Sequence, residues 1–304
     1  MHDTIQRVQV KVPATTANLG CGFDSLGLAL RLYNTFTLAV TSEPGWYVRL
    51  PPGIALTTDS TNLVFRSARR LFEHVGMVPS NLCLTLDIQI PLARGLGSSS
   101  SAIIGGLVAA NHLTGNTLDR ETLLALAIDI EGHPDNVTPA LLGGLTLSYS
   151  AEGQYRHVLL PCPSALAIVV AIPDFELPTA QARAVLPAQV DRADAVFNSS
   201  RTALFVYALY HQRYDLLATA MDDRLHQPYR ASLIPGMCAA IAAGYGAKAL
   251  GVALSGAGPT VMAFALERAD AVATALQDAF AQHGIRCRTL VLHADITGAS
   301  VVAS

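Results

Sequence analysis

The stretch "LCLTLDIQIPLARGLGSSSSAIIGGLVAANHL", Leu82 to Leu113, constrains the fold of this chain more than any other. Its opening "LCLTLDIQI" alternates apolar and polar residues, which predicts a strand, and its closing "AIIGGLVAANHL" has apolar residues in helical order. Between them Gly95 and Gly97 interrupt both periods, so the unit is strand, glycine-rich loop, helix. Such a loop lets the backbone approach an anion closely. The hydroxyls and N–H groups of the four serines donate to it, and the helix presents its positive N-terminus. A tight strand-to-helix connection without a ligand has the same local pattern, so the loop alone is only suggestive.

Other meanings of the run are weaker. From Gly95 to Leu118 no residue is charged, a length that could span a bilayer, but four serines, five glycines and two asparagines make the window too polar. A flexible linker would not pass at once into helically ordered apolar residues. The strained turn of serine hydrolases reads GxSxG, and "GLGSSSSA" lacks the second glycine. Lysine decides the remaining cases, because Lys11 and Lys248 are the only two in the chain. A Walker A loop needs its own lysine, protein kinases need one on a strand, and serine-rich amidases pair their serines with one.

At 304 residues, 51% hydrophobic and 14% charged, the chain exceeds what one core supports, and two domains of similar size are expected. The boundary is placed at residues 1–155 and 156–304, where "AEGQYRHVLLPCPS" gathers Gly153, Pro161 and Pro163. A net charge of -3 with only 20 Lys+Arg leaves no basic stripe, so nucleic acid is not expected as a partner. Five scattered cysteines without a CxxC pair read as reduced thiols in a cytoplasmic protein. The start "MHDTIQRVQV" does not resemble a secretion signal, and no membrane association is expected. Along the chain, "RVQVKVPA", "NTFTLAV", "WYVRL", "ALAIVVAI", "ALGVAL", "VMAFAL" and "CRTLVLH" read as strands. "TTANLGCGFDSLGLAL" reads as a loop entering a helix, and "NLVFRSARRLFEHVG" and "TLDRETLLALAIDIEG" as helices. Further helices are expected near residues 193–210, 215–221, 235–243 and 269–283. The irregular mixture favours an α+β class over a doubly wound sheet.

Three segments in order, "PATTANLGCGFDSLGLAL", "PLARGLGSSSSA" and "LSGAGPTVMA", resemble the motifs of the GHMP kinases, a family of small-molecule kinases. The resemblance covers nearly the whole chain. It implies an N-terminal domain like the second domain of ribosomal protein S5, a ferredoxin-like C-terminal domain, and ATP with Mg2+ bound between them. "ANLGCGFDSLGLAL", "EGHPDNVTPALLGG", "LPTAQARAVLP" and "HQPYRASLIPG" are similar to the homoserine-phosphorylating branch. That implies transfer of phosphate to L-homoserine, forming O-phospho-L-homoserine ahead of threonine synthase in threonine biosynthesis. Another small alcohol such as mevalonate, or a non-catalytic nucleotide-binding relative, remains as an alternative.

By that resemblance Pro91, Leu92, Ala93, Arg94, Gly95, Leu96, Gly97, Ser98, Ser99, Ser100 and Ser101 form the nucleotide-binding run, with Ser98 and Glu131 holding the metal and Asp129 the rival to Glu131. A hard cation takes oxygen ligands and retains waters, so few protein ligands suffice. Homoserine is a zwitterion. Asp24 matches the family's ammonium partner, Asn18 adds polar contact, and Arg183 and Arg230 match the carboxylate-binding arginines. Asn136 falls where several family members carry a catalytic aspartate, and an asparagine cannot serve as a base, so it is expected to position the hydroxyl. Thr179 matches a threonine near the γ-phosphate, and His133 has a catalytic or an orienting role. Asp135, in a segment taken as extended, is expected to point away from Asn136. "SGAGPT" reads equally as support for the phosphate loop or as a strand-to-strand turn. A homodimer is compatible with the apolar composition.

Overall fold

The computed structural model describes residues 7–50, 57–162 and 164–302; Met1 to Gln6, which open the segment compared with a secretion signal, and Pro163 of the expected boundary lie outside the described residues. Two sheets organise the chain. The first contains β1 (Arg7–Ala17), β2 (Leu26–Val40), β3 (Trp46–Arg49), β4 (Leu82–Asp87), β5 (Leu145–Ala151) and β6 (Gln154–Leu160). The second is antiparallel in the order β10-β7-β9-β8, from β7 (Ala167–Pro173), β8 (Gly251–Leu254), β9 (Val261–Ala265) and β10 (Cys287–Leu292). The chain then returns to the first sheet, where β11 (Ser300–Val301) pairs with β1. The boundary expected after residue 155 therefore falls inside β6, which pairs with β5 along its whole length.

Helices α1 (Leu63–Val75), α2 (Ser98–Leu113), α3 (Arg120–Glu131) and α4 (Pro134–Leu142) pack with the first sheet. The second part carries α5 (Thr179–Ala184), α6 (Arg192–Tyr210), α7 (Leu217–Ala220), α8 (Gln227–Arg230), α9 (Met237–Gly246) and α10 (Ala269–Gln282). Local chemistry explains the main helices. Asn62 accepts the Val64 N–H at the start of α1, and Asp119 accepts the Thr122 N–H at the start of α3. Helix α1 buries Phe65, Leu71 and Phe72 against the core, with Trp46 packed on Phe65 and Phe72. Truncating Phe72 to alanine would cost about 3–5 kcal/mol at such a site. A separate core of Leu26, Leu28, Leu30, Ile168, Val170 and Phe264, among others, takes side chains from both sheets and joins the two parts.

One segment departs from its expected structure. "GFDSLGLAL" does not enter a helix: the loop after β1 turns back into the long strand β2, antiparallel to β1. Leu26, Leu28 and Leu30 alternate with Gly27 and Ala29, and every residue of that run is buried. The small residues face a neighbour too close for a larger side chain. A Cβ on Gly27 would overlap the main-chain carbonyl of Asp135 in α4. This contact sets the start of α4 directly over β2.

Candidate active site

A cavity of about 440 Å³ opens at the junction of the two parts. One wall is the loop before α2. Gly95 (φ +45°) and Gly97 (φ +68°) have left-handed backbones, and a Cβ on either would overlap the Ser255 carbonyl or the Thr15 hydroxyl. Gly97 precedes α2 with no side chain capping the helix, so the first-turn N–H groups stay open for an anion. Leu92, Ala93, Arg94, Gly95, Gly97, Ser98, Ser99 and Ser100 line the cavity. Three of the run do other work. Leu96 is fully buried in the shared core, Ser101 donates to the Ser98 carbonyl and accepts from Asn34, and Pro91 lies outside the lining.

The loop "SGAGPT" combines its two expected readings. It connects β8 to β9, and it also holds the glycine-serine loop from behind: Ser255 donates its hydroxyl to the Gly95 carbonyl and Thr260 to the Arg94 carbonyl. The Gly256 N–H donates to the Ala17 carbonyl at 3.0 Å.

Glu131, at the end of α3, accepts from the Ser99 hydroxyl at 2.8 Å and from the Ser100 hydroxyl at 2.9 Å. The Ser98 hydroxyl bonds to no side chain or carbonyl among the described residues and lines the same cavity as Glu131. Asp129 instead faces outward, 3.3 Å from Arg70 on the surface. No cluster of three or more His, Cys, Asp or Glu side chains occurs among the described residues. The donors at the loop are thus one carboxylate and serine hydroxyls, an all-oxygen set suited to a hard divalent cation that keeps part of its water shell.

Beyond the loop, "HPDN" enters α4, with the His133 backbone still extended and Pro134 in the first turn. Because the segment is helical, Asp135 and Asn136 both reach the cavity, which overturns the expectation that Asp135 points away. Asp135 is 2% exposed; its Oδ1 lies 2.5 Å from His133 Nδ1 and accepts from Asn136 Nδ2 at 3.3 Å. Asn136 Oδ1 accepts from the Thr15 hydroxyl at 2.8 Å, which fixes the amide orientation. Burial pulls the His133 pKa down, but the hydrogen bond to Asp135 and the charges of Asp135 and Glu131 outweigh it and leave it raised.

The cavity also gathers charges from distant segments. Arg183, in α5, makes a bidentate pair with Asp24, at 2.7 and 3.0 Å. Asn18 accepts from the Asp24 N–H and donates to the Gly256 carbonyl, so it ties the glycine turn to the second part. Arg230 is 2% exposed and donates to the Ala182 and Gly256 carbonyls, with no carboxylate partner among the described residues. Burial, then the Arg183 charge, lowers its pKa to about 10, so it remains a cation near neutrality. Thr179, exposed at the start of α5, lines the cavity with Asp24, Arg183 and Arg230. Sequence reasoning turned Asp135 away from the site and did not single out Thr15, Phe23 or His226, which contact Asn136, Arg183 and Arg230. Of these His226 left a trace, since it stands four residues before Arg230 in "HQPYR", one helical turn away.

Comparison with known proteins agrees with this geometry. Residues 62–144 match the GHMP kinases N terminal domain and residues 205–282 the GHMP kinases C terminal domain. A homoserine kinase from Desulfitobacterium hafniense is 46% identical over 302 residues, covering 97% of this chain and all of the relative. One from Microchaete diplosiphon is 44% identical, covering 97% of each chain. The crystal structure of homoserine kinase from Cytophaga hutchinsonii superposes with a TM-score of 0.90 at 30% identity, covering 99% of both chains. With both family domains matched in order and full-length relatives above 40% identity, the chain belongs to the GHMP kinase family.

Proposed function

We propose that this protein transfers the γ-phosphoryl group of ATP to the side-chain hydroxyl of L-homoserine, forming O-phospho-L-homoserine. The carrying observation is that one cavity is lined both by the glycine-serine loop at the start of α2 and by Asp24, Arg183 and Arg230. A zwitterionic amino acid with a terminal hydroxyl matches that polarity. A substrate such as mevalonate, which has a carboxylate and no ammonium, would leave Asp24 without a cationic ligand group. The similarity to full-length homoserine kinases supports the same reading. Such a product is the precursor that threonine synthesis requires.

Phosphoryl transfer depends on positioning and on stabilising charge that spreads over the phosphoryl oxygens. Gly95 and Gly97 bring the backbone to the phosphates, and the open N–H groups of α2 donate to them. Arg183 and Arg230 hold the substrate carboxylate, Asp24 its ammonium, and Asn18 keeps the turn that carries Asp24 in place. Glu131 and Ser98 would hold Mg2+, which neutralises β- and γ-phosphate charge when bound. Asn136, locked by Thr15 and Asp135, orients the attacking hydroxyl, and Thr179 faces the transferring group. Catalysis in this arrangement rests on proximity and charge stabilisation.

A coupled assay of ADP release with L-homoserine, mevalonate, galactose and shikimate tests the proposal. Stimulation by homoserine above the others is expected. Absence of that stimulation, with ATP and Mg2+ present, would refute it.

A further inference from the structure

The imidazole of His226 is fully buried and lies against Arg230 and the turn that carries Asp24. Its Nδ1 is 3.3 Å from Arg230 Nη1, and its Nε2 is 2.8 Å from the Gly20 carbonyl. A guanidinium only donates, so Nδ1 must offer its lone pair, and a carbonyl only accepts, so Nε2 must carry the proton. Together the two contacts select one neutral tautomer. Burial lowers the imidazole pKa and favours the same form; the buried Asp223 carboxylate, 3.5 Å from Nε2, pulls the other way and is outweighed. The ring also stacks on Phe23, with centroids 5.3 Å apart, and the guanidinium carbons of Arg183 and Arg230 stand 5.7 and 5.5 Å from that same Phe23 ring. One imidazole thus joins the glycine turn that carries Asp24 to the arginine that has no carboxylate partner among the described residues.

We infer that His226 is a positioning residue for acceptor selection: its Nδ1 aims the Arg230 guanidinium, while its Nε2–H, on the Gly20 carbonyl, holds the tautomer that keeps Nδ1 an acceptor. The aim of Arg230 sets where the anionic group of an acceptor must lie, and so favours an α-amino acid. The inference rests on the homoserine reading above. The Gly256 carbonyl that Arg230 donates to also accepts from Asn18 of the Asp24 turn, and His226 adds a second, rigid link, from Arg230 Nη1 through one ring to the Gly20 carbonyl.

The test uses the full chain with two substitutions that separate the ring nitrogens. His226→Gln keeps an N–H donor in the place of Nε2 and loses the Nδ1 acceptor; His226→Asn keeps an acceptor in the place of Nδ1 and loses the donor. Steady-state kinetics with L-homoserine and ATP are read beside thermal melting. His226→Gln should raise the homoserine KM by roughly tenfold or more while the ATP KM stays within about twofold, and His226→Asn should stay within about threefold of wild type for homoserine. Equal shifts in both KM values, or an unchanged homoserine KM in folded His226→Gln, would overturn the inference. Should His226→Gln not fold, a tenfold rise of the homoserine KM in His226→Asn would overturn it. Wild type that does not turn over homoserine removes the substrate reading and this inference together, whereas wild type that does, with a variant KM unmoved, removes the inference alone.

Discussion

Two groups of residues that line the cavity present their polar atoms by opposite means. In the glycine-serine loop these are main-chain groups and hydroxyls in one short run, backed by Ser255 and Thr260. Around Asp24 they are charged side chains of three separate segments, Asp24, Arg183 and Arg230, which partly satisfy one another through the Asp24–Arg183 pair. A main-chain cradle depends on the backbone path and tolerates no added atoms. A side-chain pocket depends on balance among charges, so single substitutions there should change affinity for one substrate before they change the fold.

The harshest way to break the comparison is Gly97→Ala. The left-handed backbone and the overlap with Thr15 leave the new Cβ no room, and kcat/KM should fall on the order of 100-fold or more with weakened ATP binding, measurable by steady-state kinetics and nucleotide titration. A variant with wild-type ATP affinity would mean that the loop does not cradle phosphate. Next, Glu131→Gln should lower kcat by ~100-fold and shift the Mg2+ dependence to higher concentration, since the carboxylate is the one acidic group bonded to the loop serines. An unchanged Mg2+ profile would assign Glu131 to loop support alone.

In the other group, Asp24→Asn should raise the homoserine KM by ~10-fold or more and leave the ATP KM nearly unchanged; equal effects on both would remove Asp24 from the ammonium site. Asn136→Ala should lower kcat by ~10-fold without loss of ATP binding, because it removes an orienting amide and no proton acceptor. The smallest effect concerns stability. The folded-state pKa of His226 is lowered, so its contribution is complete above the unfolded value near 6.5 and is lost as pH falls through the folded value. Below about pH 6.5 wild type should lose up to ~1.4 kcal/mol per pH unit relative to His226→Asn, followed by denaturant unfolding. Parallel curves for the two proteins would show that the ring is not held neutral.

Much of this site was readable without coordinates because its chemistry is local. The loop from Gly95 to Ser100 is a contiguous run between a period-two and a helical pattern, and the absence of lysine narrowed its meaning. The helical phase of "HPDN" was not readable: four residues carry too little periodicity, and Pro134 fits either an extended segment or a first helical turn. That phase decides whether Asp135 faces the cavity. The strand at "LGLAL" was misread for a related reason, since glycines in the preceding turn suggested a loop, whereas Gly27 is small so that α4 can pack over it.

By itself the sequence determined the α+β class and the strand, glycine-rich loop and helix around Gly95, because these follow from periodicity over short spans. Only the tertiary structure decided which side chains meet. Asp24 and Arg183 are 159 positions apart and His226 is 206 from Gly20, and a contact over such separation is set by the packing of two sheets on a shared core. Packing also fixed the protonation of His226, since its state follows from burial and from the two partners that the fold places at its nitrogens.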